Sequence, residues 1–293
     1  IQLVEIEYQQ KNPQPLPTVQ KLISAYENAL TELGGEHEKI VVLDADLMID
    51  CGLLSFRNKY PERFIECGIA EQDMLSQAGG LALKGKLPIS HSFSCFLATR
   101  ANEQFFNNAS ENTKCIYTGS LAGLLPAGPG HSHQMVRDIS ALGGVPNLTL
   151  FEPSCEEEVK MALDFAVNIN NESTYIRLVS IPCEVPYRLQ VDYVLKKGEG
   201  VSLTKGDDAI LFAYGPVMLA QAFNAAEILK REYKFGLKVV NLPWLNEIDK
   251  DWIEEIIGEI KQVFTIDNHL IKGGQGERIG VTIAKIGISN LLF

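Results

Sequence analysis

Ile40-Val41-Val42-Leu43 is a run of four apolar residues, three of them β-branched, followed at once by Asp44-Ala45-Asp46-Leu47. Such a run is too short for a helix. A strand that is apolar at every position must be covered on both faces, as in a parallel sheet flanked by helices. Upstream, Leu22, Ile23, Tyr26, Ala29, Leu30 and Leu33 recur at helical spacing, with Thr18 placed to cap that helix and Gly34-Gly35 to stop it. Downstream the alternation repeats. Phe64-Ile65 leads into a predicted helix over 70–83, Ile89 to Ser92 into one over 96–109, and Cys115 to Tyr117 into a long Gly/Pro loop. Leu148 to Phe151 then precedes a helix over 156–167, and Tyr175 to Val179 closes the series. Strand alternating with helix predicts an open α/β sheet, whose ligands collect beyond the carboxyl ends of the strands.

The chain has 293 residues, enough for two domains of roughly 150 residues each. Between Pro182 and Gly200 the periodic pattern lapses and reads as a linker. Strands over 209–213, 237–241 and 263–266, with helices over 217–231 and 250–257, follow it. The expected division is a first domain over 1–186 and a second over 187–293, each an open, mostly parallel sheet flanked by helices. A composition of 46% hydrophobic and 22% charged residues excludes a largely disordered chain. With 26 Lys and Arg against 37 Asp and Glu, the net charge of −11 repels phosphate backbones and anionic lipid, which argues against a nucleic-acid partner. No run approaches the ~18 apolar residues of a membrane span. No basic stretch leading into an apolar one opens the chain, so a cytoplasmic protein is expected. The six cysteines are scattered without a C-x-x-C pair and read as reduced core thiols.

Chemistry is sought in the loops that follow the strands. In Phe64-Ile-Glu-Cys-Gly-Ile-Ala-Glu71, Glu71 falls at a strand-to-helix junction. It either complements the positive end of the helix dipole or, if buried, serves as a general acid/base. Phe93 and Phe96, three apart at the next junction, form either plain core or a stacking wall. The glycine-rich loop running to His131-Ser-His133-Gln134 is long enough to be functional. Its two histidines have no further His or Cys at ligand spacing, so they suit hydrogen bonding to an oxygen-rich substrate better than zinc. Arg177 interrupts an apolar strand and needs an anionic partner, either a structural carboxylate or a ligand phosphate. Gly273-Gly-Gln-Gly276 reads as a tight turn or an anion cradle without the spacing of a dinucleotide fingerprint.

Taken in order, these pieces resemble the C-terminal half of a transketolase, and most closely the separate C-terminal subunit of split transketolases. The resemblance is carried by Val41 to Leu47, Tyr60-Pro-Glu-Arg-Phe64, Gly68-Ile-Ala-Glu71-Gln72 and Ala78 to Pro88. It continues through Ser92-Phe-Ser-Cys-Phe96, His133-Gln134, Asp138-Ile139, Pro146-Asn147 and Gly273-Gly-Gln-Gly276. It implies a pyrimidine-binding domain followed by the family's C-terminal domain, serving thiamine diphosphate and transferring a two-carbon ketol unit between sugar phosphates or related polyols. Glu71 then matches the glutamate that hydrogen-bonds the aminopyrimidine ring and favours its imino tautomer. Phe93 and Phe96 match the ring-stacking aromatics, and Asp46 and Leu47 match positions beside the cofactor. His131 and His133 match substrate hydroxyl contacts, with His133 also counted as catalytic, and Arg177 matches the contact to the distal phosphate.

Two departures qualify the resemblance. The loop Pro126-Ala-Gly-Pro-Gly-His-Ser-His133 lacks the Asp-Gly that usually precedes the His-Gln pair, which leaves the donor open. The Gly-Asp-Gly motif that holds Mg²⁺ and the diphosphate has its nearest counterpart in Gly206-Asp-Asp208, in the wrong domain. The resemblance therefore implies a second chain that carries the magnesium site, in a heterotetramer of two of each; within this chain no metal site is expected. A deoxyxylulose-phosphate-synthase-like or 2-oxo acid dehydrogenase β-like subunit shares the architecture and the glutamate, and a non-catalytic regulatory subunit with the same fold is the remaining alternative.

Overall fold

The structure, a computed structural model, describes residues 19–288. Thr18, the expected cap, lies outside them. Helix α1 (Leu22–Glu36) presents Leu22, Tyr26, Ala29, Leu30 and Leu33 to the core, as its spacing dictates. It does not stop at Gly34-Gly35 but runs through both. The glycines serve packing instead: a Cβ on Gly34 would stand 2.6 Å from the Phe56 ring and 2.8 Å from that of Tyr60.

The strand β1 (Ile40–Asp44) is buried at all five positions. After it come α2 (Leu54–Lys59), β2 (Phe64–Glu66), α3 (Glu71–Leu83) and β3 (Leu87–Phe93). The helix expected over 96–109 is two, α4 (Ser94–Arg100) and α5 (Asn102–Ser110), broken at Ala101. β4 (Ile116–Ser120), α6 (Asp138–Leu142), β5 (Leu148–Phe151), α7 (Glu156–Asp164) and β6 (Ser173–Arg177) complete the first unit. These six strands form one sheet in the order β2-β1-β3-β4-β6-β5, every pair parallel. The order reverses between β1 and β3, the switch point beyond whose carboxyl ends open α/β sheets collect their ligands.

The second unit holds β7 (Val201–Ser202), β8 (Ala209–Ala213), α8 (Gly215–Ile228), β9 (Leu237–Asn241), α9 (Lys250–Ile257), β10 (Val263–Ile266) and α10 (Gln275–Ile286). Its sheet runs β10-β8-β9-β7, parallel except for the antiparallel edge strand β7. The segment from Pro182 to Gly200 carries no regular element, yet it is packed rather than loose: Val185, Tyr187 and Leu189 are buried in a cluster with Cys155 and Phe223. The two units share core. Trp244 packs edge-on against Phe151 and Phe165, each with ring centroids 4.9 Å apart. Its segment also lies along edge strand β5, where the Leu245 amide donates to the Leu150 carbonyl at 2.9 Å and covers an edge that would otherwise offer unpaired backbone groups. All six cysteines are free thiols, and no helix among the described residues is long and apolar enough to cross a membrane.

Candidate functional site

The loops that leave β1, β2 and β3 lie together at this switch point. After β1 the chain turns sharply through Asp46, whose φ of 63° lies in the left-handed region. Two carboxylates hold this turn. Asp44 Oδ2 accepts the Leu47 amide at 2.9 Å, and Glu66 Oε1 accepts the amides of Asp46 at 3.0 Å and Gly68 at 2.8 Å. Asp44 is fully buried, and burial together with the nearby Glu66 charge, only partly offset by the Leu47 amide, pushes its carboxyl up to about 7. Beneath it, burial takes the His91 imidazole down to about 4, so a neutral ring joins Tyr26 Oη at 2.7 Å and the Leu43 carbonyl at 3.2 Å.

Glu71 is the first residue of α3 and only 4% exposed. A buried carboxylate demands a partner, and Arg100 Nη1 donates to its Oε1 at 2.8 Å. The Arg100 guanidinium in turn stacks over Phe96, 4.0 Å from the ring centroid. Phe96 and Phe93, at the start of α4 and the end of β3, stand 5.9 Å apart. The His133 ring, brought in from the glycine-rich loop, meets Phe96 edge-on at 5.1 Å and Phe93 at 6.1 Å. Glu71, Arg100, Phe96, His133 and Phe93 thus form a continuous row of a carboxylate, a cation and three rings.

The structure brings Phe93, Phe96 and His133 into contact and joins Glu71 to them through Arg100. Asp46, exposed, and Leu47, half-buried, sit on the neighbouring loop, tied to the strand before Glu71 through Glu66; His131 is exposed two residues before His133. Arg177 requires a correction. It has no exposed surface, and its Nε donates to Asp138 at 2.8 Å, its Nη1 to Glu152, and its Nη2 to the carbonyls of Met135 and Asn268, both at 2.8 Å. A guanidinium so committed offers no fork to a substrate phosphate, and the structural-carboxylate alternative describes it. The Gly273 to Gly276 segment is likewise a turn: Gly276 donates to Asp267 at 3.1 Å and Gly273 to Glu277 at 2.7 Å, so the chain's own carboxylates take the amides an anion would need.

Sequence reasoning missed Arg100, Asp44 and Glu66. Arg100 lies four residues after Phe96 on one helix face, a spacing that permits its stack, but its pairing with a glutamate 29 positions away leaves no local trace. Asp44 and Glu66 end neighbouring strands in register, a pairing visible only in the sheet.

Residues 20–180 match the family described as "Transketolase, pyrimidine binding domain", and residues 198–292 match "Transketolase, C-terminal domain". The chain is 33% identical over 271 residues to a Methanocaldococcus jannaschii protein provisionally named a transketolase C-terminal section, covering 91% of this chain and 83% of that one. It is 31% identical over 254 residues to the 1-deoxy-D-xylulose-5-phosphate synthase of Clostridium botulinum, covering 86% of this chain but only 40% of the synthase. Among solved structures it superposes with a TM-score of 0.80 on a split-gene transketolase described as an inactive beta4 tetramer, at 32% identity over 90% of this chain and 85% of that one. A Pichia stipitis transketolase variant, at 17% identity, shares the fold with a TM-score of 0.74 over 89% of this chain and 41% of that one.

Proposed function

The chain belongs to the transketolase family, and from that premise we propose that it is the pyrimidine-binding subunit of a two-chain thiamine diphosphate enzyme that transfers a two-carbon ketol unit between sugar phosphates or related polyols. The carrying observation is the row at the sheet's switch point, where one buried carboxylate on a helix N-terminus is linked through Arg100 to the rings of Phe96, Phe93 and His133. That donor set fits the aminopyrimidine half of the cofactor: a flat heterocycle finds Phe93 and Phe96 for stacking and Glu71 for its ring nitrogen. When bound, thiamine diphosphate supplies the electron sink for cleaving and forming the carbon–carbon bond. With the cofactor bound, Glu71 would hold the proton at the ring nitrogen, Asp46 and Leu47 would lie beside the ring, and Phe93, Phe96 and His133 would keep water from its face. His133 and His131, on the glycine-rich loop, would meet the substrate's hydroxyls. The loop's lack of an Asp before His133 leaves the donor undefined, and Arg177 has no substrate role.

The diphosphate half does not fit this chain. Among the described residues no group of three or more His, Cys, Asp or Glu is placed to hold a metal ion, whereas a diphosphate needs Mg²⁺ and an oxygen-rich shell. We propose that a second chain carries the diphosphate and magnesium site, in a heterotetramer of two of each, and that the present chain divides at 186/187 into its two domains. The split-gene transketolase relative, described as an inactive beta4 tetramer, is consistent with that reading. The synthase relatives support a second reading, a 1-deoxy-D-xylulose-5-phosphate-synthase-like subunit.

Titration calorimetry tests the two-chain reading. The isolated chain should show no micromolar affinity for thiamine diphosphate with Mg²⁺, because one carboxylate contact and ring stacking supply a few kcal/mol where micromolar binding needs about 8 kcal/mol. Affinity and turnover should appear together when a diphosphate-binding partner is added. Micromolar binding by this chain alone would overturn the reading.

A further inference from the structure

Arg100 is the one member of the row to which the proposed function gives no task. Its side chain is 45% exposed while that of the Glu71 it pairs with is 4% exposed, so the guanidinium meets the buried carboxylate from the solvent side. It also lies on Phe96, at 4.0 Å from the ring centroid. A guanidinium is planar, weakly hydrated and edged with N–H donors, and it stacks on rings while pairing with carboxylates. An aminopyrimidine is planar too, carries an amino donor beside a ring nitrogen, and needs the same carboxylate and the same ring.

We infer that Arg100 is a built-in occupant of the aminopyrimidine seat, held by Glu71 and Phe96 until the ring displaces it. The inference rests on the function proposed above. Its physical basis is that a buried carboxylate without a partner is costly, so the empty seat is best filled by a cation that can leave. Arg100 can leave because it ends α4 at the break before Ala101, and half of its side chain already faces solvent. A residue that merely walls the seat would contribute binding surface. A competing occupant subtracts affinity instead, so the two roles predict opposite signs on removal.

The test uses the full chain and 4-amino-2-methylpyrimidine, a neutral probe that avoids charge repulsion between Arg100 and a thiazolium ring, with binding followed by NMR. Arg100→Ala should bind the probe about 3- to 10-fold more tightly than the wild type, the size of one solvent-screened stack plus ion pair. Arg100→Lys, which keeps the pair but loses the flat stack, should fall between them, and Glu71→Gln should bind more weakly than wild type. The Arg100 δ protons should show an upfield ring-current shift that Phe96→Leu abolishes and saturating probe removes. Equal or weaker binding by Arg100→Ala, or a ring-current shift that survives saturation, overturns the inference while leaving the seat intact. Absence of binding by every form removes the seat itself, and with it both readings.

Discussion

Glu71→Gln should lower ketol-transfer turnover by ~10²- to 10⁴-fold in the two-chain enzyme while the fold stays unchanged. The substitution keeps the side chain's shape, and the amide oxygen can still accept the Arg100 Nη1 donor that now meets Glu71 at 2.8 Å. What it removes is the proton the carboxyl exchanges with the ring nitrogen. The structural cost is small, since losing one charge at a helix N-terminus is worth about 0.3 to 1 kcal/mol. Circular dichroism and thermal melting should superpose for the two forms, and only the rate with the partner chain present should differ. Near-wild-type turnover in the variant would remove the role assigned to Glu71.

What could be read in the sequence follows from how local the signal is. β8, β9, β10 and α9 fall on the residues their apolar patterns predict, because a short buried run between turn signals has few alternative readings. The two-residue edge strand β7 carries too little pattern to find, and the division of the expected 96–109 helix at Ala101 comes from tertiary packing. At the site, the position of Glu71 and the spacing of Phe93 and Phe96 are local features at strand-to-helix junctions, the places where an α/β sheet collects its ligands. Arg177 is ambiguous from its type alone, since a buried arginine and a phosphate-binding one look identical in sequence. Its carboxylate partners lie 39 and 25 positions away, on α6 and just beyond β5, and only the folded sheet brings them to one point. The same holds for Gly215, whose positive φ of 68° and lack of a side chain leave room for Glu152 to reach Arg177.

Arg177→Met, which keeps much of the side chain's bulk, should cost about 3 to 5 kcal/mol of stability, as breaking a buried ion pair from one side does. Asp138 and Glu152 would be left buried without their cation, and the carbonyls of Met135 and Asn268, which Arg177 joins across the two units, would lose the guanidinium donor they share, although the Gly123 amide still donates to Met135 at 2.8 Å. Glu152 gives this loss a pH dependence of known sign. Burial lifts its carboxyl from the usual 4.5 to about 7 against the pull of Arg177. A carboxyl with a raised folded value binds its proton more tightly folded than unfolded, so its contribution to stability is full at low pH and falls as pH rises from about 4.5 to about 7. Removing Arg177 takes away the charge that restrains this shift, so the window extends upward in the variant. The deficit relative to wild type should therefore be larger at pH 8 than at pH 5. Urea unfolding at both values measures it, and a loss below about 1 kcal/mol, or one equal at the two pH values, would show that the cluster does not hold the fold. Kinetics at a temperature where the variant remains folded separate this role from phosphate binding. A lattice-like ion cluster reduces activity on phosphorylated and unphosphorylated substrates alike, whereas a phosphate ligand would cost the phosphorylated one an additional ~1.5 to 3 kcal/mol.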